Sequence, residues 1–327
     1  MLQDSFGRQI KDLRISVTDR CNYKCFYCKS AKGVDYVERD DLLTYEEIER
    51  LARVVVGMGI RKIRLTGGEP LLRKKLENLV SGLAKIPQLK DLALTTNAFN
   101  LSDRAEQLAR SGLNRVTVSL DSLQPERFHE ITRKRDIENV LSGIRSAKRW
   151  GLEPIKVNCV IVRGVNDDEI LDFAEFAREN SLSVRFIEFM PIDEDEQWSL
   201  SNVVTGEEIL QVLNSSYKLV ALGNVEASAT ARNYKFVDAA GSVGVITPVS
   251  SPFCGACSRL RLTADGKIRT CLFSMVEYDV RSLLRGEASN DDLAEFIRQT
   301  VRQKEKGHRI NEPDFKAPPR KMSYIGG

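Results

Sequence analysis

The sequence predicts an α/β fold in which residues 1–215 form an incomplete (β/α)6 parallel barrel, that is, a partial TIM barrel. First, segments with strand patterns alternate six times with segments of helical periodicity, and such alternation implies a parallel sheet with right-handed crossovers. Second, a closed barrel needs about eight such units, so six predict an incomplete one. Third, the pattern changes after residue 215, which predicts a C-terminal extension over residues 216–327.

The six units follow one another along the first part of the chain. The first helix begins at a capping box formed by Thr44 and Glu47, and Gly57 and Gly59 end it. The predicted strands cover 13–18, 61–66, 91–95, 115–120, 155–161 and 183–189. The other helices are predicted near 72–84, 102–110, 136–149, 167–179 and 205–213.

The polar residues of the strands are the first indication of a function. In five strands one side is apolar and must face the helices, so the polar side must line the lumen. The lumen side carries Arg14, Ser16, Thr18, Lys62, Arg64, Thr66, Thr95, Thr117, Ser119, Asp121, Lys156 and Asn158. Because unpaired buried charge is costly, we expect a wet cavity for a polar, anionic ligand; the alternative is that these residues form ion pairs with one another. The phase of the sixth strand stays open, since Arg185 and Met190 fall on opposite sides unless a bulge intervenes.

The extension after residue 215 has shorter elements. It is predicted to contain short strands with turns at 217–247, a hairpin with the turn ADGK within 253–273, helices near 279–285 and 290–303, and a proline-rich, basic tail at 313–327. The tail ends in Gly326 and Gly327.

Composition excludes several classes of protein. The 327 residues are 42% hydrophobic and 29% charged, as in a soluble globular protein, and the net charge of +3 gives no basic field for bulk nucleic-acid binding. No apolar run approaches the ~18 residues of a membrane span, and the N-terminus lacks the features of a signal peptide. Seven cysteines without an export signal predict a cytoplasmic protein with reduced thiols. The two histidines, His129 and His308, are too few for a mechanism that uses several.

Six of the cysteines form two groups. The first trio is Cys21, Cys25 and Cys28, after the first strand, and the second trio is Cys254, Cys257 and Cys271, in the extension. Structural zinc sites are closed by four ligands, and neither trio has a fourth Cys or a nearby His. Thiolates at such spacing also hold iron–sulfur clusters, whereas one zinc site assembled from both trios, or two damaged sites, are the alternatives. The seventh cysteine, Cys159, is predicted to pack in the core.

The motifs around these cysteines resemble a known superfamily. CNYKCFYC at 21–28 looks like the radical S-adenosylmethionine signature, and GGEP at 67–70 is similar to the methionine-binding motif of that superfamily. The second trio with SRLR, the phrases SVTDRCN and FIEFMP, and the final Gly-Gly resemble one of its families, the GTP 3′,8-cyclases of molybdenum cofactor biosynthesis. The resemblance extends from about Leu13 to Gly327. One departure is Ala98 in TTNA, where the family usually has glycine, and it concerns the backbone geometry there.

The resemblance implies two [4Fe-4S] clusters, with S-adenosyl-L-methionine at the open iron of the first trio and the guanine of GTP at that of the second. The implied contacts of S-adenosyl-L-methionine are the backbone of Tyr27, Gly68, Ser119 and Met190. The implied contacts of GTP are Arg14, Lys62, Arg64, Thr95, Lys156, Arg259, Leu260 and Arg261. The implied catalytic residues are Gly326, Gly327, Arg259 and Arg261. Residues 1–215 would then be the radical barrel, and residues 216–327 the region for the auxiliary cluster and GTP.

The implied activity is that of a lyase, the radical cyclisation of GTP to (8S)-3′,8-cyclo-7,8-dihydroguanosine 5′-triphosphate, which is the first step of molybdopterin cofactor biosynthesis. The implied partners are a flavodoxin-like reductant protein and the downstream cyclic pyranopterin monophosphate synthase; the chain could form a homodimer, and neither membrane nor nucleic acid is expected. Two alternatives remain. One is a peptide-modifying radical S-adenosylmethionine enzyme with an auxiliary cluster, and the other, from a different class, is a zinc-stabilised nucleic-acid-binding module.

Overall fold

A single mixed sheet organises the protein. The computed structural model describes residues 1–28, 36–192, 198–223, 227–318, 320 and 322–326, and within these ranges one sheet contains twelve strands. The strands are Asp12–Ser16 (β1), Lys62–Thr66 (β2), Asp91–Thr96 (β3), Arg115–Ser119 (β4), Lys156–Ile161 (β5), Ser183–Glu188 (β6), Leu219–Leu222 (β7), Arg232–Phe236 (β8), Ser242–Ile246 (β9), Arg259–Leu262 (β10), Lys267–Arg269 (β11) and Tyr278–Asp279 (β12).

The sheet is open and mostly parallel, as an incomplete barrel requires. Its order is β12-β11-β10-β1-β2-β3-β4-β5-β6-β9-β8-β7. The six strands expected from the alternating pattern lie together in the middle, and β10 and β9 add parallel strands at either end. The six expected units are present, and the extension adds further strands at both edges of the same sheet. A boundary at residue 215 remains a prediction about domains.

The helices before the C-terminal tail cover the outer face of this sheet, and one short helix lies in the tail itself. In the described ranges they are Tyr45–Gly57 (α1), Leu76–Ala84 (α2), Leu101–Arg110 (α3), Pro125–Thr132 (α4), Ile137–Arg149 (α5), Ile170–Asn180 (α6), Gly206–Ser216 (α7), Arg281–Arg285 (α8), Asn290–Arg302 (α9) and Met322–Ile325 (α10). The expected capping box of α1 is present, with Thr44 accepting from Glu47 N–H and the Glu47 side chain accepting from Thr44 N–H. None of the described helices is long and apolar enough to cross a membrane.

Two helices differ from the prediction for local reasons. The residues Pro70–Leu72 form a short 3₁₀ turn, and Lys75 in the left-handed conformation (φ 57°) redirects the chain, so α2 begins only at Leu76. The sequence analysis missed α4, although Pro125 at its first position is a common start signal.

The alternation of the strands is confirmed by burial. Leu13, Ile15 and Val17 are at most 1% exposed and face the helices, whereas Arg14 lines the interior of the barrel. In β6 the residues Val184 and Phe186 are buried toward the helices and Arg185 lines the interior. Because β6 ends at Glu188, the alternation no longer applies to Met190, which lines a different cavity from Arg185, and no bulge is needed.

Glu188, at the end of β6, organises two loops. It is fully buried, and its carboxylate accepts from Gly206 N–H at 2.8 Å, Val249 N–H at 2.8 Å and Ser250 N–H at 2.9 Å. These bonds tie the start of α7 and the segment after β9 to the sheet.

Replacing Glu188 with Ala should lower the free energy of unfolding of the apoprotein by about 3 kcal/mol, since it leaves several buried N–H groups without an acceptor. Urea denaturation followed by circular dichroism measures this change. The matched control is Glu295→Ala, whose side chain is 51% exposed and which should change the unfolding midpoint far less. Equal midpoints for the two variants would contradict the role given to Glu188.

Candidate active site

The GGEP turn after β2 fixes the start of the loop that carries the first trio. Gly68 N–H donates to the Thr18 carbonyl at 2.7 Å, and Glu69 N–H donates to the Arg20 carbonyl at 2.7 Å. A Cβ on Gly68 would overlap the Arg20 carbonyl oxygen, so only glycine lets the turn pack this closely. We expected Gly68 to allow the approach of a ligand; in the structure the packing of the protein's own backbone already requires it.

Glu69 joins this turn to the end of β3. Its carboxylate accepts from Leu71 N–H at 2.9 Å, from the Thr96 hydroxyl at 2.7 Å and from Asn97 N–H at 2.7 Å. Burial raises the pKa of Glu69 to about 7, although these hydrogen bonds oppose the shift. Asn97 in turn donates to the Asn22 side chain at 2.9 Å, within the loop of the first trio.

Ala98, the departure from the family pattern, has the left-handed conformation expected of a glycine. Its φ is 62°, which costs an alanine ~1 kcal/mol. Its N–H donates to the Thr96 hydroxyl at 2.9 Å and its carbonyl accepts from Leu101 N–H at 3.0 Å. These bonds hold the turn before α3 in place despite the strain.

Tyr27 anchors the other end of the first-trio loop. Its hydroxyl donates to the buried carboxylate of Asp121, which also accepts from Val160 N–H at 2.8 Å. Burial raises the pKa of Asp121 to about 6, and burial together with the neighbouring Asp121 raises the pKa of Tyr27. The pair therefore fastens the loop to the ends of β4 and β5.

Arg8, which the sequence analysis did not single out, supports the second trio. Its side chain is paired with Asp4 at 2.6 Å, and it donates to the carbonyls of Cys254 and Lys306 at 2.8 Å and of Glu305 at 2.6 Å. One guanidinium thus joins the N-terminal segment to two segments beside the second trio.

Lys304 is a second buried cation at this place, only 3% exposed. It donates to the Arg259 carbonyl at 3.0 Å and to the Thr270 carbonyl. Burial disfavours the thiolate of Cys257, but Arg259 and Lys304 outweigh burial and lower its pKa to about 7. The charge around Cys257 therefore favours the thiolate form that metal binding requires.

Both trios line one cavity of about 280 Å³ between the C-terminal ends of the strands and the extension. The other predicted residues that line it are Arg14, Tyr27, Gly68, Thr95, Ser119, Met190, Arg259 and Arg261. In the described part of the chain, no three Cys, His, Asp or Glu side chains converge on a point where a single ion could sit. Two groups of three thiols line this cavity, and three thiolates are the protein ligands of a four-iron cluster that leaves one iron open.

A second cavity of about 200 Å³ lies at the N-terminal ends of the strands and shares Arg14 and Arg259 with the first. Its cationic lining residues are Arg14, Lys62, Arg64, Arg115, Lys156, Arg185 and Arg259. Its carboxylates are Asp12 and Asp91. Two carboxylates cannot neutralise seven cations, so mutual ion pairing does not account for the predicted lumen residues.

Some arginine N–H groups of this second cavity are not used by hydrogen bonds within the described part of the protein and could donate to a bound anion. Arg115 is paired with both oxygens of Asp91, at 2.9 and 2.6 Å, and Arg64 donates to the hydroxyls of Thr95 at 3.1 Å and Thr117 at 2.9 Å. Arg115 Nη1 and Arg185 Nε are buried without a hydrogen-bond partner among the described residues.

Burial and mutual repulsion lower the pKa values of the cations in the second cavity. Burial, and then Arg259 and Arg64, lower the pKa of Arg14 to about 9. Burial, and then Arg115 and Arg185, lower the pKa of Arg64 to about 9. Burial, followed by Arg185, Arg115 and Arg64, lowers the pKa of Lys156 to about 7. The arginines are therefore charged at neutral pH, while Lys156 is only half protonated.

The C-terminal tail reaches the first cavity. Arg261 donates to the Gly326 carbonyl at 2.5 Å, and Gly326 has a φ of +79°. A Cβ there would lie 2.5 Å from Cγ2 of Thr66, so glycine is required. Gly327 lies outside the described residues. Leu260 is buried in the core, so any contact that it makes with a nucleotide involves its backbone.

Comparison with known proteins identifies the family. A model described as "Radical SAM superfamily" matches residues 15–177, and one described as "Molybdenum Cofactor Synthesis C" matches residues 182–310. The GTP 3′,8-cyclase of Moorella thermoacetica is 48% identical over 100% of both chains. The chain belongs to the GTP 3′,8-cyclase family. The enzyme of the same name from Syntrophomonas wolfei is 42% identical over 99% of both chains.

Solved structures show that the GTP 3′,8-cyclase family shares its fold with more distant proteins. The structure of Streptococcus suis SuiB bound to S-adenosylmethionine has a TM-score of 0.65 at 14% identity, covering 98% of this chain and 77% of that one. Native anSMEcpe with bound AdoMet has a TM-score of 0.58 at 16% identity, covering 94% and 84%. At these identities the likeness concerns the fold alone.

The site predicted from the sequence did not include Arg115 and Arg185, two arginines that line the second cavity. Arg115 shares the parity of Thr117 and Ser119, so extending the alternation to the first residue of β4 could have found it. Arg185 was seen but not assigned, because Met190 was taken to belong to the same strand.

The half-protonated state of Lys156 leads to a prediction about pH. A lysine is charged below its pKa, so a polyanion that binds the protonated form of Lys156 more tightly draws a proton onto it when the pH lies above that pKa. The affinity for GTP should therefore fall as the pH rises above about 7, by up to about tenfold per unit. Calorimetric titration of the reconstituted protein, in buffers of different ionisation enthalpy, measures both the affinity and the proton uptake.

Lys156→Arg is the matched variant, because arginine stays charged over this range. It should retain the affinity seen at pH 6.5 and lose most of the slope. A wild-type protein without proton uptake, or an arginine variant with the same slope, would rule out this role for Lys156.

Proposed function

We propose that this protein is a GTP 3′,8-cyclase, a lyase that uses S-adenosyl-L-methionine for the radical conversion of GTP to (8S)-3′,8-cyclo-7,8-dihydroguanosine 5′-triphosphate, the first step of molybdopterin cofactor biosynthesis. The observation that carries the proposal is the pair of adjoining cavities. One cavity is lined by six thiols in two trios, and the other by seven cations. Family membership supports the same activity.

The first trio, Cys21, Cys25 and Cys28, would hold one [4Fe-4S] cluster, and Gly68, Ser119 and Met190 with the backbone of Tyr27 would contact S-adenosyl-L-methionine. When bound, this cluster supplies the electron that cleaves S-adenosyl-L-methionine and so starts radical chemistry on the ribose. Asp121 and Glu69 hold the surrounding loops in place through the hydrogen bonds described above. Their protein partners already occupy these carboxylates, so we assign neither of them the role of a general base.

The second trio, Cys254, Cys257 and Cys271, would hold the other [4Fe-4S] cluster and present it to the guanine of GTP. The triphosphate would then extend toward the second cavity, where Arg14, Lys62, Arg64, Lys156 and the added Arg115 and Arg185 supply positive charge. Guanidinium groups suit this task because their N–H donors match phosphate oxygens in pairs. Arg259, Leu260, Arg261 and Thr95 would complete the contacts near the first cavity.

The remaining partners follow from the chemistry. A strong one-electron donor must reduce the first cluster, and we propose a flavodoxin-like protein for this role. The product would pass to a cyclic pyranopterin monophosphate synthase. We also propose a cytoplasmic location, where thiols stay reduced, and leave a homodimer as an expectation.

Anaerobic reconstitution distinguishes the proposed clusters from a zinc site. The wild-type protein should bind about eight iron and eight sulfide per chain. Cys25→Ala should retain half of the iron and lose cleavage of S-adenosyl-L-methionine. Cys257→Ala should also retain half, but should keep this cleavage and lose most GTP affinity.

Cys159→Ala is the matched control, because Cys159 is buried in the core away from both cavities, and it should retain both clusters. Zinc without sulfide in the wild-type protein would overturn the proposal in favour of a zinc-stabilised module. Cleavage without a cyclised nucleotide, but with a modified peptide, would favour the peptide-modifying alternative.

Deletion of Gly326 and Gly327 should remove formation of cyclised GTP while both clusters and most GTP affinity remain. The reason is that Gly326 lies against Thr66 and Arg261, two residues that line the first cavity, where its backbone can position reacting groups. Mass analysis of cyclised nucleotide and of 5′-deoxyadenosine, measured separately, tests this. A truncated protein with the wild-type yield of cyclised GTP would show that the tail has no part in the reaction.

A further inference from the structure

The C-terminal tail is fastened to the rest of the protein at a second place, away from the cavity. The Arg320 guanidinium donates to both oxygens of Asp265, at 2.9 and 2.7 Å, and its Nε lies 2.9 Å from the Glu277 carboxylate. The side chains of Arg320, Asp265 and Glu277 are only 24%, 13% and 21% exposed. A planar, bidentate pair in this partly buried setting is stronger than an ordinary surface ion pair.

Asp265 is itself held rigidly. It lies in the turn between β10 and β11, and it accepts a hydrogen bond from the Thr263 hydroxyl at 2.6 Å. The adjoining β10 carries Arg261, which donates to the Gly326 carbonyl. The tail is therefore attached to one hairpin at both ends of its last segment, through Arg320 and through Gly326.

Glu277 has a second partner that leads to the second trio. It accepts from Arg269 at 2.6 Å, and Arg269 is fully buried. Arg269 also donates to the carbonyls of Leu272 at 3.3 Å and Ser274 at 2.5 Å, which follow Cys271 in sequence. One carboxylate is thus shared between the tail and the loop that carries the last thiol of the trio.

Between its two attachments the tail forms α10 and buries Ile325 completely. Without Arg320, the contacts of Ile325 and Gly326 would have to offset the conformational entropy of the segment that follows Phe315, whose ring packs against Phe273. With Arg320 in place, only the last few residues remain to be ordered, which raises the effective concentration of Gly326 at its site.

We propose that Arg320 is a positioning residue that docks the tail so that its glycine end stays in the cavity, and that Glu277 links this docking to the loop of Cys271. The part that concerns catalysis rests on the proposed cyclase function. The part that concerns docking is independent of it.

The test compares Arg320→Met with Arg309→Met in the full-length protein reconstituted with iron and sulfide. Arg309 is the matched control, because it forms a bidentate pair with Asp314 at 2.7 Å but is 58% exposed and does not join the tail to the hairpin. Hydrogen–deuterium exchange of the peptide that contains Met322 and Gly326 reports docking directly, since Gly326 N–H donates to the Met322 carbonyl. Steady-state kinetics with GTP, S-adenosyl-L-methionine and a strong reductant report the consequence for the reaction.

In Arg320→Met we expect exchange of this peptide at least tenfold faster than in wild type, and kcat for cyclised GTP at least tenfold lower, with KM for GTP within threefold. Arg320→Lys should restore part of both, and Arg309→Met should leave both within twofold of wild type. In Glu277→Gln, exchange should also rise in the peptide that contains Cys271.

Unchanged exchange in Arg320→Met would overturn the docking role. Loss of half the iron in that variant, or a fall in GTP affinity as large as the fall in kcat, would show a general structural effect and would also overturn the proposal. If the wild-type protein forms no cyclised GTP, the proposed function fails, while the exchange data still decide whether Arg320 docks the tail.

Discussion

Three arginines lie side by side across neighbouring strands of the sheet, and the contacts around them reduce the repulsion between their charges. Arg261 of β10 is in register with Arg14 of β1, which is in register with Arg64 of β2. Neighbouring strands are only ~4.8 Å apart, and like charges placed directly opposite each other are destabilising. The surroundings of each arginine reduce this repulsion. Arg261 donates to the tail carbonyl, Arg64 donates to two threonine hydroxyls, and Arg14 faces both cavities. The row gives this part of the structure a concentration of positive charge that no aliphatic residue could supply.

The extension brings the second trio to the cavity that Arg14 and Arg261 also line. Because β10 pairs in parallel with β1, Cys254 and Cys257 come to lie beside the first strand, whose own loop carries the first trio. At the other end, β9 pairs with β6, and residues of the neighbouring β8 segment, such as Thr230 and Asn233, close the second cavity. The cavities are therefore formed by the extension and the six units together.

Local patterns predicted the part of the site that strands determine. Alternation alone placed Arg14, Lys62, Arg64 and Lys156 in the lumen, and the structure puts them there. The parallel pairing of β10 with β1 and of β9 with β6 could not be predicted in this way, because it joins residues far apart in the sequence, such as Arg14 and Arg261 or Ser183 and Ser242. Sequence periodicity contains no information on such pairing.

The same limit applies to the residues that support the cysteine loops. Arg8 binds carbonyls at residues 254, 305 and 306, and Lys304 binds carbonyls of Arg259 and Thr270. In the sequence, Arg8 and Lys304 cannot be told apart from arginines and lysines on the surface. Only the fold shows which carbonyl groups surround them.

The cations lie on rigid strands and the thiols lie on loops, and this difference explains why the supporting residues are found beside the loops. The cations of the second cavity sit on strands, whose ladders already fix them. The thiolates sit on loops, which the ladders do not fix. Catalytic groups must be held to within about 0.5 Å of their working positions, so each cysteine loop needs residues that fix it in place. These residues are Glu69, Gly68 and Tyr27 for the first trio, and Arg8 and Lys304 for the second. The tail is a further segment that no strand ladder fixes, so the anchor at Arg320 has a large effect on the order of the residues near Gly326.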